Sequence, residues 1–463
     1  MHRCRALFLG GAVLALGGCS LAPKYARPAA PVAPTFAPAD MAADATQAAD
    51  VPWQQFFTDG RLRSVVEQAL ANNRDLRIAT LNIDRAQALY RVQRADRFPP
   101  VSVGTNVSTQ RIPDKAARDG EAYTSTQYTI ALGVSAWELD FFGRVRSLET
   151  AALEQFLATE QAGRATQMAL VAAVAQTYLT RAADADGLRL AKGTLEAQQA
   201  SLDLIQKSRD LGVASDLELS QIRSQVEAAR ADIARYSGFL AVDLNTLQVL
   251  VGAPVSPDLL PDGLLTVSPP RPVSAGLSSE VLLRRPDILV AEHQLRSANA
   301  NIGAARAAFF PRISLTMGVG LASSELSSLL GGATGTWSFA PQLTQSIFNA
   351  GATRAKVRVS QLDRDIAVAR YEKGIQQAFA EVSNALALRQ TLVSQREAQE
   401  ALVTSLEDTY RLSDARYKAG IDGYLGVLVA QRTLFTAQQV LVAVRLAEQA
   451  NLVTLYKVLG GGV

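Results

Sequence analysis

Proline is absent from Asp114 to Ala253 and again from Gln342 to Val463. Long tracts without the residue that breaks helices, rich in Ala, Leu, Gln, Arg and Glu, favour helix. Apolar residues recur in them at three- and four-residue steps, as in Val226, Ala229, Ile233, Tyr236 and Leu240. The pattern predicts helices over 145–210, 216–251, 352–418 and 423–459. A helix of about 65 residues extends roughly 100 Å. One that long needs coiled-coil-like neighbours, so each tract is expected to hold a long antiparallel helical hairpin.

The hairpin tips are legible. Ser215 with Glu218 three residues later forms a capping box. In the other tip Gly420 is the expected helix stop and Asp422 the expected N-cap of the next helix.

Away from the tips lie four segments with a period of two, at about 101–110, 125–138, 313–322 and 336–347. In the third, Ile313, Leu315, Met317, Val319 and Leu321 share one face, while Ser314, Thr316, Gly318, Gly320 and Ala322 share the other. In the second, Tyr128, Ile130, Leu132 and Val134 oppose Thr129, Ala131, Gly133 and Ser135. Pro99, Pro100 and Pro311 end the helices that lead into strands, and Gly143 and Gly351 open those that leave. Phe98, Phe141, Phe142, Phe309, Phe310 and Phe348 mark the junctions. Strands about ten residues long, apolar on one face and small-polar on the other, with aromatics at one level, fit a transmembrane β-barrel with a wet lumen. A soluble sandwich is the other fold with this alternation. Four strands cannot close a hollow barrel, and open edges are not tolerated in lipid, so copies of the chain must complete it. Three copies would supply twelve strands, although the alternation does not fix that number.

The chain also repeats itself. RADRFPPVSV at 94–103 aligns with RAAFFPRISL at 306–315, and LQVLVG at 247–252 with LYKVLG at 455–460. Two copies of a unit of about 200 residues are expected, at 53–253 and 281–463, joined by a Pro-rich equatorial linker at 254–280.

Arg3 and Arg5 precede an apolar run from Ala6 to Leu16, too short to span a bilayer, which reads as a signal peptide over 1–18. Leu16-Gly17-Gly18-Cys19 resembles the bacterial lipobox, which implies acylation of Cys19, including palmitate, and outer-membrane sorting with Ser20 following. Residues 19–52 then form an extended Pro/Ala-rich tether. Cys4 departs with the signal, so no disulfide is available to the mature chain. A net charge of +3 with scattered basic residues gives no nucleic-acid footprint.

The tips GVASDLELSQ and GIDGYLGVLVAQ, the stretch LRRPDI at 283–288 and IGAARAAFFPRISL at 302–315 resemble the TolC family. More narrowly they resemble its OprM-like, NodT-type efflux lipoproteins, over nearly the whole mature chain. The resemblance implies a homotrimeric α+β membrane protein, a 12-stranded transmembrane β-barrel continued by a periplasmic α-helical barrel, with a mixed equatorial belt. It implies an outer-membrane exit duct for drugs or other small molecules, fed by a periplasmic adaptor and an inner-membrane pump of the resistance-nodulation-division type. By the same resemblance Leu425 narrows the tunnel. Its neighbours Tyr424 and Asp422 are expected to tie adjacent tips by hydrogen bonds. Val429 stands where OprM-like members carry an aspartate, so a more hydrophobic seal is expected. Asp216 and Asp422 either contribute acid near the tip or cap helices. Adaptor docking is assigned to Gly212, Val213, Ser215, Gly420, Ile421 and Gly423.

A duct needs no chemistry, and the sequence offers no phosphate loop, metal-ligand cluster, cofactor motif or nucleophile elbow. His293, alone after processing, is expected to be a packing or surface residue. In RRPD, Pro286 and Asp287 suit a helix N-terminus. A protein-secretion duct shares the architecture and remains an alternative. A periplasmic coiled-coil adaptor would carry one hairpin, without duplicated membrane strands.

Overall fold

The computed structural model describes residues 20–36, 51–271 and 278–461. The signal peptide, Cys19, residues 37–50 of the tether and part of the linker lie outside the described residues. In chain order the elements are α1 (Trp53–Phe56), α2 (Gly60–Asn72), α3 (Arg74–Ala95), β1 (Val101–Ile112), β2 (Tyr123–Glu138), α4 (Arg144–Asp210) and α5 (Asp216–Val251). Then follow α6 (Pro286–Ala307), β3 (Arg312–Ser323), β4 (Gly335–Thr344), α7 (Ala352–Lys418) and α8 (Tyr424–Val458). The order helix, two strands, two helices thus occurs twice, and α4 and α7 are each 67 residues long.

The chain divides into two compact units. The first holds residues 20–29, 83–159 and 290–371, and the second holds 30–82, 160–289 and the residues from 372 onward. In the first unit the four strands form one antiparallel sheet in the order β1-β2-β3-β4. Pairing places Val103, Leu132, Val319 and Trp337 in one cross-strand row, and Val101, Val134, Met317 and Phe339 in the next. Every one of these side chains is on the apolar face. Val103, Val319, Trp337 and Phe339 are at least 60 % exposed. Among the described residues no other element covers the sheet, and the outer edges of β1 and β4 are unpaired. A water-soluble sandwich would have buried that face against a second sheet.

On the small-residue face neighbouring backbones come close. A Cβ built on Gly320 would stand 2.1 Å from the Ile130 carbonyl oxygen, because the neighbouring strand leans over that side. Curling of this hand turns the small residues toward a lumen and fans the bulky ones outward. β2 carries a bulge between Val134 and Trp137, where Ala136 adopts φ 50° and its N–H donates to the Thr316 hydroxyl at 3.0 Å. Without the bulge, strict alternation through the same residues would aim Glu138 at the apolar face. The bulge instead pairs Trp137 with Leu315 on the apolar face and Glu138 with Ser314 on the small-polar one. There Glu138 accepts two hydrogen bonds from Arg144, at 2.7 and 2.6 Å, and pairs with Arg312 at 2.7 Å. β4 ends at Thr344, three residues before the expected limit, and Ile347 and Phe348 beyond it are almost fully exposed.

In the second unit the helices pack along their apolar stripes. α1 and α2 contribute Phe56, Phe57, Val65, Val66 and Ala69 to a core with Leu247 and Val251 of α5 and Tyr456 of α8. Phe56 stacks on Tyr456 with ring centroids 3.8 Å apart.

Candidate functional site: the paired helical tips

Both hairpins turn in the same way. Gly212 and Gly420 adopt φ of 78° and 71°, the left-handed conformation that closes a Schellman motif. Val213 N–H donates to the Ser208 carbonyl and Gly212 N–H to Arg209; Ile421 and Gly420 repeat these bonds with Arg416 and Tyr417. Ser215 and Glu218 form the expected capping box. Ser215 therefore spends its hydroxyl on its own helix.

Asp422 does not cap α8. The N-cap is Gly423, without a side-chain bond. Asp422 instead accepts from Arg416 Nε at 2.5 Å and Nη2 at 3.1 Å, and this guanidinium holds its carboxyl below the usual range. Asp216 accepts from Arg209 Nε at 3.0 Å. Each tip thus matches its aspartate with an arginine from the helix before the turn, a pairing that outcompetes capping where the tip is exposed.

The two tips of one chain share an apolar core of Ile205, Leu219, Ile222, Tyr424, Val427 and Leu428, flanked by Leu202, Ala214, Tyr410 and Tyr417. Tyr424 belongs to that core and is 2 % exposed, so it is not available to tie one tip to a neighbouring copy. Its ring meets Tyr417 edge-on at 5.0 Å. Burial pushes its phenol up to about 12. Ser201 lies close, but the hydroxyl completes no hydrogen bond of ordinary geometry.

With Tyr424, Val427 and Leu428 turned inward, the helical period turns Leu425 and Val429 outward, four residues apart on one stripe. They are 59 % and 47 % exposed. The stripe is apolar, and the tip aspartates are paired elsewhere. At the turns themselves Val213 and Ile421 are exposed as expected, together with Leu211 and Leu217, which sequence reasoning passed over. The missed signal was two leucines flanking a glycine turn, where a solvated tip would carry polar residues.

Other singled-out residues have structural roles. His293 Nδ1 lies 2.6 Å from Glu154 Oε2, half-buried between helices. Pro286 opens α6, and Arg285 before it is 6 % exposed. Its guanidinium donates to Asp287 at 3.0 and 2.7 Å, to Glu381 at 2.8 Å and to the Val458 carbonyl at 2.9 Å.

Comparison with known proteins finds relatives over nearly the whole chain. Residues 65–253 and 277–461 match the family described as outer membrane efflux protein. The toluene efflux pump outer membrane protein TtgC and the antibiotic efflux pump outer membrane protein ArpC, both of Pseudomonas putida, are 49 % identical over 96 % of this chain and 93 % of theirs. The open state of the MtrE outer membrane channel of Neisseria gonorrhoeae superposes with a TM-score of 0.88 at 35 % identity, covering 96 % of this chain and 98 % of that one.

Proposed function

This chain belongs to the outer membrane efflux protein family, and from that premise we propose how its parts serve an outer-membrane efflux duct that extends into the periplasm. The duct is passive and not an enzyme. The reading is carried by one observation: a sheet that no other described element covers, with two unpaired edges and an exposed apolar face. In lipid such a sheet persists only if β4 of one copy pairs with β1 of the next. A homotrimer closes twelve strands around the small-polar face, and the helices of the three copies gather into a tunnel.

Cys19 is the acylated residue, and 53–253 and 281–463 are the two repeats. Leu425 and Val429 form two stacked apolar rings that dewet the tunnel at the tips and close it to ions and water. Val213, Ile421, Leu211 and Leu217, around the Gly212 and Gly420 turns with Ser215 and Gly423, receive a periplasmic adaptor that links the duct to an inner-membrane pump. The cargo is amphiphilic or apolar small molecules, as the names of TtgC and ArpC indicate for those relatives. A deletion strain is expected to become sensitive to amphiphilic drugs, dyes or solvents. Single-channel recording on the purified protein, with its native mass, tests the assembly. A non-conducting monomer would overturn it.

A further inference from the structure

Residues 20–29 run along α6 within the first unit, in the opposite direction to it. They are held at successive turns. Arg306 Nη1 donates to the Leu21 carbonyl at 3.1 Å, and Asn299 Nδ2 donates to the Pro23 carbonyl at 2.7 Å. Between them Gly303 opens a slot for Ala22: a Cβ there would stand 2.8 Å from the Ala22 nitrogen and 2.6 Å from Ser147 Oγ. One to two turns toward the helix start, Glu292 accepts from Tyr25 OH at 3.1 Å and from Arg27 at 3.0 and 2.7 Å. Arg296 donates to the same carboxylate at 2.6 Å and lies over the Tyr25 ring at 5.1 Å.

Glu292 is 2 % exposed. A carboxylate so buried needs compensating charge, and one of its two arginines comes from a segment 265 residues away in the chain. The contacts Leu21–Arg306, Ala22–Gly303, Pro23–Asn299 and Arg27–Glu292 all share one face of α6 at helical spacing, so sliding the segment by one residue would break them together. Its leading end lies at Arg306, beside the Phe310 that stacks on Phe142 at 4.7 Å and just ahead of β3. Residue 19 is two residues before Leu21, within about 7 Å of chain.

We infer that residues 21–27 are a positioning strap, which binds α6 in one register, delivers residue 19 to the membrane-side end of that helix and completes the charge balance around Glu292. The inference rests on the acylation of Cys19. It makes the N-terminal segment part of the fold of the sheet-bearing unit, where the sequence alone presents it as a loose tether.

The test uses the full-length protein in outer membranes. Once Cys19 is acylated the mature chain has no other native thiol, so an introduced pair reports alone. Oxidation is expected to cross-link Pro23→Cys/Asn299→Cys within the chain and to leave the register-shifted pair Pro23→Cys/Arg306→Cys unlinked. Radiolabelled palmitate is followed in the same samples. Label with the matched cross-link supports the strap. Label without it, or equal cross-linking of both pairs, overturns the strap while leaving the anchor standing. Absence of label overturns the anchor and with it the delivery of residue 19. In a second measurement Arg27→Met is expected to lower the melting temperature of the assembled protein by several degrees, and adding Glu292→Met to restore most of that loss. Strictly additive losses would remove Arg27 from the charge balance.

Discussion

Gly133 of β2 sits directly opposite Gly318 of β3, and a Cβ on Gly133 would lie 2.4 Å from the Met317 carbonyl oxygen. The inward face of the sheet is therefore small because the sheet bends, as well as because it faces water. Polar residues of ordinary size would satisfy a wet lumen. At Gly133 and Gly320 only glycine also admits a neighbouring backbone that leans over it.

That distinction separates two glycines on the same face. Gly320→Val would put a side chain within 2.1 Å of the Ile130 carbonyl, so it is expected to abolish most of the heat-resistant oligomer. Gly104→Val, with nothing within 4 Å of the new Cβ, is expected to assemble. Electrophoretic mobility of unheated and heated outer membranes reads the difference. Equal assembly of both variants would detach the small face from curvature.

Much of this architecture was legible in the sequence because it is periodic. The 145–210 and 352–418 tracts became Arg144–Asp210 and Ala352–Lys418, since an uninterrupted 3.6-residue pattern bounded by glycine turns leaves little freedom. What escaped were charge pairs between distant segments. Arg27 with Glu292 and Arg285 with Glu381 obey no spacing rule. Asp422 was misread because its neighbourhood fits an N-cap, and only the fold reveals that Arg416 reaches it first. Tyr424 was misread because adjacency to Leu425 says nothing about which side of the helix each occupies.

For the gate, the outward stripe of Leu425 and Val429 makes a graded expectation. Leu425→Ala is expected to raise entry of large antibiotics several-fold in intact cells. Adding Val429→Ala is expected to raise it further, because each removes one apolar ring from the same column. Minimum inhibitory concentrations and dye uptake measure this. An unchanged barrier in the double variant would place the constriction elsewhere.

The hairpin of α4 and α5 contains a titrating pair. Burial raises Asp184 from 3.8 to about 6, with a further push from its hydrogen bond to the Asp243 carboxylate; burial raises Asp243 too. Arg235 facing Asp184 and Arg181 facing Asp243 act in the opposite direction without reversing either shift. The folded hairpin thus binds a proton more tightly than the unfolded chain. Its stabilisation is complete below about pH 4 and is lost as pH rises through about 6. Melting temperature is expected to be higher near pH 5 than near pH 8, and Asp184→Asn to flatten that dependence. A variant profile parallel to the parent would assign the pH dependence to other groups.

At the linker, Arg285 joins Asp287, Glu381 and the Val458 carbonyl, so one planar guanidinium ties the start of α6 to α7 and to the end of α8. A lysine offers a single ammonium on a flexible stem and cannot reproduce these divergent bonds. Asp287 and Glu381 are about half-exposed and regain water when the arginine is lost, which limits the cost. Arg285→Met, which keeps the buried stem, is expected to destabilise the protein by about 1.5–3 kcal/mol, the range for hydrogen bonds to charged groups. Arg285→Lys is expected to recover less than half of that loss. Thermal unfolding followed by helical circular dichroism in detergent checks both variants. Full recovery by lysine would mean that charge alone, and not the geometry of the fork, secures the belt.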